Sequence, residues 1–314
     1  METNVLSTRA VPESHTTINL AYKIKDILQE FNLLNKVDIC VHDNARNIER
    51  AGELSPEWED LSCFGNTLQL VIKPALDLPN IAKIIGKCRK LVGHFKHSTT
   101  LAAELSKRQK LLGIPVQDLI QDVPTRWNSV QQMMQRLTEQ RRVLTDIMLD
   151  DKVTKKEFSL PLLKDHEWDL IDQLSIFLKD FAEVTTYMST ETHVSISQIY
   201  PIVCGLLRRI DDISGDTESN NIHRVRETVK DELMRRYKPT CKETAKSITI
   251  VTSFLDPRYK NLKFLSKDQR NITKTEIESL LDDLPLRDTA KSVEPPTKRI
   301  RRPNESKTEI KILL

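Results

Sequence analysis

The sequence predicts an α-rich α/β fold, and three observations support this prediction. Helix-forming residues dominate most of the 314 residues, whereas only 7 glycines and 5% aromatic residues occur, which does not suit a glycine-rich β fold. A run of apolar and β-branched residues at 36–42 has strand character. Apolar residues then recur at helical spacing from residue 160 to residue 238. We therefore expect a small sheet and many helices.

The first elements should form a βαβ unit. Residues 3–11 could form a strand that leads into a turn at residues 12–15. Thr16 or Thr17 would cap the next helix. A second strand is predicted at residues 36–42. Strand, helix and strand in this order favour parallel pairing of the two strands.

Helices should then follow one another as far as residue 149. Helices are predicted at residues 44–51, 61–78 and 81–110, and a short strand is predicted at residues 116–123. Prolines bound the strand on both sides. Asn128 or Ser129 would cap a long helix that ends near Leu149.

The second half of the chain is predicted to be helical until its polar tail. A polar loop at 211–222 interrupts the helical pattern, and a last helix is expected at 246–254. Apolar periodicity fades after Phe264. We predict that residues 268–314 are largely disordered, apart from a short helix at 273–283.

The net charge of +3 does not by itself indicate a nucleic-acid-binding protein. Basic residues nevertheless crowd one region in which acidic residues are few. This helical face either contacts phosphates or is a solvated surface, and the sequence leaves both interpretations open. The residues concerned are Lys83, Lys87, Arg89, Lys90, Lys96, Lys107, Arg108 and Lys110.

The cysteines and histidines do not predict a metal site. The five cysteines are widely spaced and include no C-x-x-C pair, which argues against a zinc finger and a disulfide scaffold. His94 and His97 are three residues apart, but no neighbouring Cys or carboxylate completes a ligand set, so we predict surface histidines. The chain shows no signal peptide and no membrane-spanning apolar run, and we expect an intracellular, reducing compartment.

A carboxylate follows the clearest strand. Asp43 would lie at the C-terminal end of the strand at 36–42, where open α/β sheets usually place their sites. A carboxylate there can bind Mg²⁺ through oxygen, provided that other ligands contribute. The structural interpretation is that Asp43 caps the following helix through backbone N–H groups.

Four segments occur in a fixed order, namely VHDNARN at 41–47, SCFGNTLQL at 62–70, DVPTRWNS at 122–129 and FLDPRYK at 254–260. They resemble V-T-D-N-A-x-N, C-x-x-H-x-L-Q-L, D-V-x-T-R-W-N-S and L-D-P-R-[FY]-K of the hAT superfamily of DNA transposases. The resemblance is closest to the zinc finger BED domain-containing proteins domesticated from that superfamily, and it covers roughly residues 5–266.

The resemblance implies an RNase H-like core in which three carboxylates bind two divalent metals for DNA strand transfer. It places the second carboxylate at Asp43. The family segments that carry the first and third carboxylates have no counterpart here, nor do the BED finger and the C-terminal dimerisation segment. Asp43 is therefore expected to be a remnant that is not competent for catalysis.

The resemblance also implies the domain organisation. We predict a partial RNase H-like core at 1–150, a large all-α insertion domain at 151–266 and a largely disordered basic tail at 267–314.

Two further pairs of residues match the family motifs. Cys63 and Asn66 correspond to the family's Cys and His, and an asparagine amide cannot replace a protonatable or metal-binding imidazole. Arg126 and Trp127 match the R-W pair. The resemblance implies that Trp127 stacks on a base and that Arg126 pairs with phosphate or with Asp122. The structural alternative for Trp127 is packing at the sheet edge.

The tail carries a basic cluster flanked by prolines, formed by Lys298, Arg299, Arg301 and Arg302. Such a cluster is typical of a nuclear localisation signal, although a plain basic patch has the same composition.

These observations favour a catalytically inactive, domesticated or truncated hAT transposase-like nuclear protein. The alternatives are a metal-dependent transposase or nuclease and a degenerate fragment. DNA and other hAT-derived proteins are the candidate partners, and neither a membrane nor a small-molecule substrate is expected. No cofactor is expected, apart from Mg²⁺ if the nuclease alternative holds.

Overall fold

Helices make up most of the chain, and two short strands lie near its N-terminus. The computed structural model describes residues 5–34, 36–54, 58–150, 152–153, 163–189, 196–212 and 219–282. The strands are β1 (Ile39–His42) and β2 (Glu59–Ser62). The helices are α1 (Thr17–Glu30), α2 (Arg46–Glu53), α3 (Phe64–Leu76), α4 (Pro79–His97), α5 (Thr99–Leu111), α6 (Trp127–Glu139), α7 (Arg141–Met148), α8 (Asp165–Met188), α9 (Ile199–Asp212), α10 (Asn220–Tyr237), α11 (Ile248–Leu255) and α12 (Lys267–Asp282). The predicted α-rich character is confirmed.

The two strands pair in parallel, with Ile39 opposite Glu59 and His42 opposite Ser62. The predicted strand at 36–42 is confirmed, but its predicted partner at 3–11 is wrong, because residues 5–11 form no strand. Arg9 in that segment instead makes ion pairs with Asp26 (3.2 Å) and Glu30 on α1. The βαβ unit therefore runs through β1, α2 and β2.

Several predicted helices begin or break at polar side chains. Thr16 caps α1 by accepting a hydrogen bond from Asn19 N, as predicted. The helix expected at 81–110 is interrupted at Ser98, which caps α5 by accepting from Leu101 N (3.3 Å). The helix expected to start at Asn128 or Ser129 begins at Trp127 and breaks at Gln140.

Residues 114–123 form a loop rather than the predicted strand. Side chains satisfy its carbonyl groups in place of a neighbouring strand. Gln109 Nε2 donates to Gln117 O (2.8 Å) and to the buried Gln140 Oε1 (3.0 Å), and Arg136 Nη1 donates to Asp118 O (2.5 Å). The loop is thus held against α5 and α6.

The first of two compact units comprises residues 1–193 and 210–236. Its core lies among α3, α4, α6 and α8, and α6 makes its most extensive contacts with α8. The side chains that fill this core are fully buried and belong to one face of each helix. They include Leu68, Val71, Cys88, Leu91, Met133, Met134, Ile171 and Leu174.

The second unit comprises residues 194–209 and 237–314. Helix α11 packs on the 3₁₀ turn Ile196–Gln198, and Ser253 Oγ donates to Ser197 O (2.7 Å). Helix α12 spans Lys267–Asp282, so the helix predicted at 273–283 is confirmed as far as Asp282, and the disorder predicted for residues 268–272 is wrong. Buried Thr273 fixes α12 by donating to Ala245 O (2.7 Å). The predicted domain bounds stay a prediction.

None of the described helices combines the length and the apolar character that crossing a bilayer requires.

Candidate nucleic-acid interface

Two of the sequence motifs meet at the carboxyl edge of the parallel strands. Asp43 follows β1 directly and Cys63 follows β2 directly. Cys63 N donates to His42 O (2.7 Å), which extends the pairing of the strands by one step. Because parallel strands end at the same edge of a sheet, the pairing brings the motifs at 41–47 and 62–70 together.

The Asp43 carboxylate organises the turn that leads into α2. Asp43 is exposed, and its Oδ1 accepts a hydrogen bond from Ala45 N (3.2 Å). Ala45 is the N-cap of α2 and has no side-chain cap of its own. The carboxylate therefore accepts a hydrogen bond from the backbone N–H of the N-cap residue. The predicted cap would instead have bonded N–H groups inside the helix.

A short chain of hydrogen bonds joins the motif at 41–47 to the start of α3. Asn44 Nδ2 donates to Thr67 Oγ1 (3.1 Å), and Thr67 Oγ1 donates to Cys63 O (3.0 Å). Cys63 is half-buried at the N-cap position of α3, and Asn66 is exposed on the first turn. The roles predicted for Cys63 and Asn66 stay predictions.

The R-W pair lies at the start of α6, next to α3. Trp127 N donates to Gln69 Oε1 (3.2 Å), so a residue of the motif at 62–70 holds the motif at 122–129. The Trp127 residue is only 4% exposed. Stacking of its ring on a base would require that the ring be uncovered, and this role stays a prediction. Arg126 is exposed, and its guanidinium pairs with no other described residue.

Asp122 pairs with Arg89 rather than with Arg126. Arg89 Nε and Nη2 both donate to the Asp122 carboxylate, at 2.9 and 2.6 Å from Oδ2, and the carboxylate side chain is 1% exposed. The hydrogen bond to Asp122 raises the pKa of Arg89. Of the two partners that we predicted for Arg126, phosphate is the one that remains.

The basic region of α4 and α5 divides into a paired and an unpaired set. Lys87 pairs with Glu167 (2.5 Å), Arg89 with Asp122, and Lys107 and Arg108 with Glu104 (3.3 and 2.8 Å). Arg108 also contacts Asp146 and Asp150. The four exposed lysines of this region that pair with no other described residue are Lys83, Lys90, Lys96 and Lys110. Half of the predicted basic face is thus compensated by acids.

The motif at 254–260 lies in the second unit and forms a tight turn after α11. Asp256 accepts hydrogen bonds from the Arg258 backbone N (3.0 Å) and guanidinium (2.6 Å to Nη2) and from Ser197 Oγ (2.8 Å). Chiefly because of the Arg258 guanidinium, the pKa of Asp256 lies well below its usual range. Arg258 also lies over the Tyr259 ring, 5.2 Å from its centroid.

Within the described ranges, no three His, Cys, Asp or Glu side chains lie together in a way that could hold a metal ion. Whether Asp43 binds Mg²⁺ stays a prediction. The predicted nuclear localisation residues, Lys298, Arg299, Arg301 and Arg302, lie outside the described residues.

Sequence reasoning missed the two residues that hold the R-W motif in place. Gln69 lies within the motif at 62–70, but nothing in that pattern indicates that its side chain accepts a hydrogen bond from Trp127 N, 58 residues away. Arg89 is 33 residues from Asp122, and only its position in a basic helix was visible in the sequence.

Comparisons with known proteins agree with these observations. Residues 61–177 match the family described as ZBED1 RNase-like helical domain. The chain is also 25% identical over 234 residues to zinc finger BED domain-containing protein 4 of Homo sapiens. That alignment covers 74% of this chain and 19% of the relative, so the chain spans about a fifth of the relative's length.

Proposed function

Because this chain is a BED-type, hAT-like protein, we propose that it is a domesticated, non-catalytic transposase-like protein that associates with DNA in the nucleus. In this proposal the pair of parallel strands with α2 is part of an RNase H-like core. The core serves as a scaffold that presents the R-W motif to the DNA backbone.

The observation that carries the proposal is the state of Arg126. Its guanidinium is exposed and unpaired with any described residue, while Arg89 already compensates the neighbouring Asp122. A guanidinium in this state is suited to a phosphate, which it can bind with two parallel hydrogen bonds. The Gln69–Trp127 hydrogen bond fixes the start of α6 and therefore the backbone that carries Arg126.

The absence of catalysis is supported by the surroundings of Asp43. Two-metal phosphoryl transfer needs several carboxylates that share two cations. One oxygen of Asp43 accepts a hydrogen bond from Ala45 N. Among the described residues, no two other His, Cys, Asp or Glu side chains join Asp43 in a metal-binding group. Asp43 is thus suited to shaping the turn rather than to holding Mg²⁺.

DNA binding can be tested by fluorescence anisotropy on a labelled duplex of about 30 base pairs, over about 50–300 mM salt. We expect Arg126→Ala to weaken binding about three- to tenfold and to lower the salt slope by about 1, as loss of one phosphate contact should. Arg142→Ala is the matched control, because Arg142 is exposed on α7 and also pairs with no other described residue. No binding at low salt, or equal losses in both variants, would contradict the proposal.

A cleavage assay with added divalent metal distinguishes the proposed function from the nuclease alternative. We expect no cleavage of the duplex in Mg²⁺ or Mn²⁺. Cleavage that depends on metal and disappears in Asp43→Asn would replace the proposed function with a catalytic one.

A further inference from the structure

The second unit carries more positive charge than the whole chain does. Residues 237–268 contain seven basic and three acidic residues, whereas the full sequence is almost balanced. Two of the seven basic residues are compensated, since Arg258 pairs with Asp256 (2.6 Å) and Lys246 with Glu276 (3.3 Å). The other five form what we call the lysine surface, namely Lys238, Lys242, Lys260, Lys263 and Lys267.

Buried Gln269 ties together the two segments that carry these lysines. Its Nε2 donates to Pro239 O (2.7 Å) and to Cys241 O (3.1 Å). Its Oε1 accepts from Ser266 Oγ (3.1 Å), and its own backbone N donates to Ser266 Oγ (3.2 Å). The loop between α10 and α11 is therefore fixed against the start of α12, so the backbone next to Lys238 and Lys242 lies close to the backbone next to Lys267.

All five lysines of this surface are exposed, and none pairs with another described residue. Two exposed acids lie beside them in sequence, Glu243 next to Lys242 and Asp268 next to Lys267. Five lysines and two adjacent acids leave an excess of positive charge along these segments.

Buried leucines anchor the segment between α11 and α12. Leu262 and Leu265 are 2% and 5% exposed and anchor the segment that carries Lys260 and Lys263. The Asp256 turn fixes the start of that segment, as described above. A ligand that binds here does not need to order the backbone first.

We propose that the lysine surface binds the phosphate backbone of duplex DNA as a second contact, in addition to Arg126. This inference rests on the proposed function. Lysines act as point charges and bind phosphates without a fixed orientation, which suits contact with a backbone of any sequence. Lysine is depleted in protein–protein interfaces, so an acidic protein surface is the weaker alternative.

The test replaces the five lysines by glutamine in the full chain and measures binding to the same duplex by anisotropy over the salt series. We expect affinity at about 100 mM salt to fall about tenfold or more and the salt slope to fall by about 2–4, because several counterion-releasing contacts are lost. A variant with arginine at the same five positions keeps the charge and should bind like the wild type. It shows whether any loss comes from charge rather than from the fold.

A matched control removes the same number of charges from exposed positions that lie outside both proposed contacts. The control variant carries glutamine at Lys36, Lys73, Arg142, Lys164 and Arg224. It should lose much less affinity, because only long-range attraction changes.

The outcomes separate this inference from the proposed function. If Arg126→Ala weakens binding while the glutamine variant matches the control, the lysine surface is not a contact and the proposed function stands. If the glutamine variant loses affinity and Arg126→Ala does not, the lysine surface is supported as a DNA contact and the proposed role of Arg126 is contradicted. If the wild type does not bind, or the arginine variant binds as poorly as the glutamine variant, the inference is overturned.

Discussion

Gly52 determines how closely α2 approaches the neighbouring strand. A Cβ added to Gly52 would lie 1.2 Å from Asp60 Oδ2, so the carboxylate occupies the space that any other residue would need. Asp60 Oδ1 lies 3.7 Å from His42 Nε2. Burial is the main cause that raises the pKa of Asp60, and the nearby His42 opposes it. Because Gly52 has no Cβ, the Asp60 carboxylate can occupy this space and lie near His42.

We predict that Gly52→Ala does not stabilise the protein, whereas Gly86→Ala does. Both glycines lie in helices, where alanine normally gains about 0.5–1 kcal/mol. The Cβ of Gly86 would meet nothing within 4 Å, but that of Gly52 must displace the Asp60 carboxylate. Denaturant unfolding of the two variants gives the comparison. An equal gain in both would show that Asp60 moves away at no cost.

A second residue prediction concerns the buried Asp122 carboxylate. Arg89→Ala removes the charged partner of this carboxylate and leaves only the hydrogen bond from Gln121 Nε2 (3.1 Å). It should lower the free energy of unfolding by about 2 kcal/mol, which is less than the roughly 3–5 kcal/mol of a fully buried pair because Arg89 is partly exposed. Arg126→Ala should cost less than about 0.5 kcal/mol, because its guanidinium is exposed. Chemical denaturation of both variants checks this, and similar losses would mean that the two arginines share Asp122.

At the scale of elements, the turn after α11 depends on ionised Asp256. Arg258 and Ser197 both bond the carboxylate, which is 12% exposed, and they depress its pKa. An unfolded carboxyl group has a pKa of about 4 and takes up a proton first as the pH falls. The stability from this turn is therefore present above about pH 4 and is lost as the pH falls further.

We predict that the melting temperature of the wild type falls more steeply between about pH 5 and about pH 2 than that of Asp256→Asn, because an amide has no proton to gain. The Asn variant should be less stable at neutral pH, where it lacks the charged bonds to Arg258. Asp231→Asn is the control, since Asp231 is exposed on α10. If the melting curves of Asp256→Asn and wild type ran parallel with pH, the turn would not depend on the charge.

The sequence predicted most helices but not the places where they break. Periodicity shows a buried face, and it runs on through Ser98 and Gln140 because the residues on either side keep the same pattern. At Ser98 the break coincides with a local N-cap, whereas Gln140 makes a tertiary hydrogen bond with Gln109. Strand β2 was missed because Glu59 and Asp60 are polar, and only its pairing with β1 makes it a strand.

The candidate site shows the same division. The motifs indicated candidate segments, and the parallel strands bring Asp43 and Cys63 to one edge, while the roles of these residues stay predictions. The partners of these segments, Gln69 and Arg89, act across 58 and 33 residues, and no local pattern encodes such contacts. The lysine surface could have been noticed from the seven basic residues between 237 and 268.

At the scale of the whole molecule, charge is distributed unevenly along the chain. The net charge of +3 is the sum over a first unit whose arginines are often paired with acids and a second unit with six unpaired lysines among its described residues, five of which form the lysine surface. Local excess of one sign, rather than the total, decides where a polyanion is attracted.

We predict that the cluster of Lys298, Arg299, Arg301 and Arg302 directs the protein to the nucleus. Alanine at these four positions should abolish nuclear accumulation of the full chain fused to a fluorescent protein, because the import signal depends on clustered charge. The control replaces the four other basic residues after residue 282, namely Arg287, Lys291, Lys307 and Lys311. Equal loss in both variants would show that total charge, not the cluster, matters.

The hydrogen bond between Gln69 and Trp127 also has a consequence for the order of assembly. Helix α6 has no side-chain cap from Arg126, and its first backbone N–H is satisfied by a glutamine that belongs to α3. A free segment of this sequence would therefore fray at its beginning. We therefore expect the first turn of α6 to be completed only when α3 packs against it, so that the R-W motif would take its final shape after the core beneath it has formed.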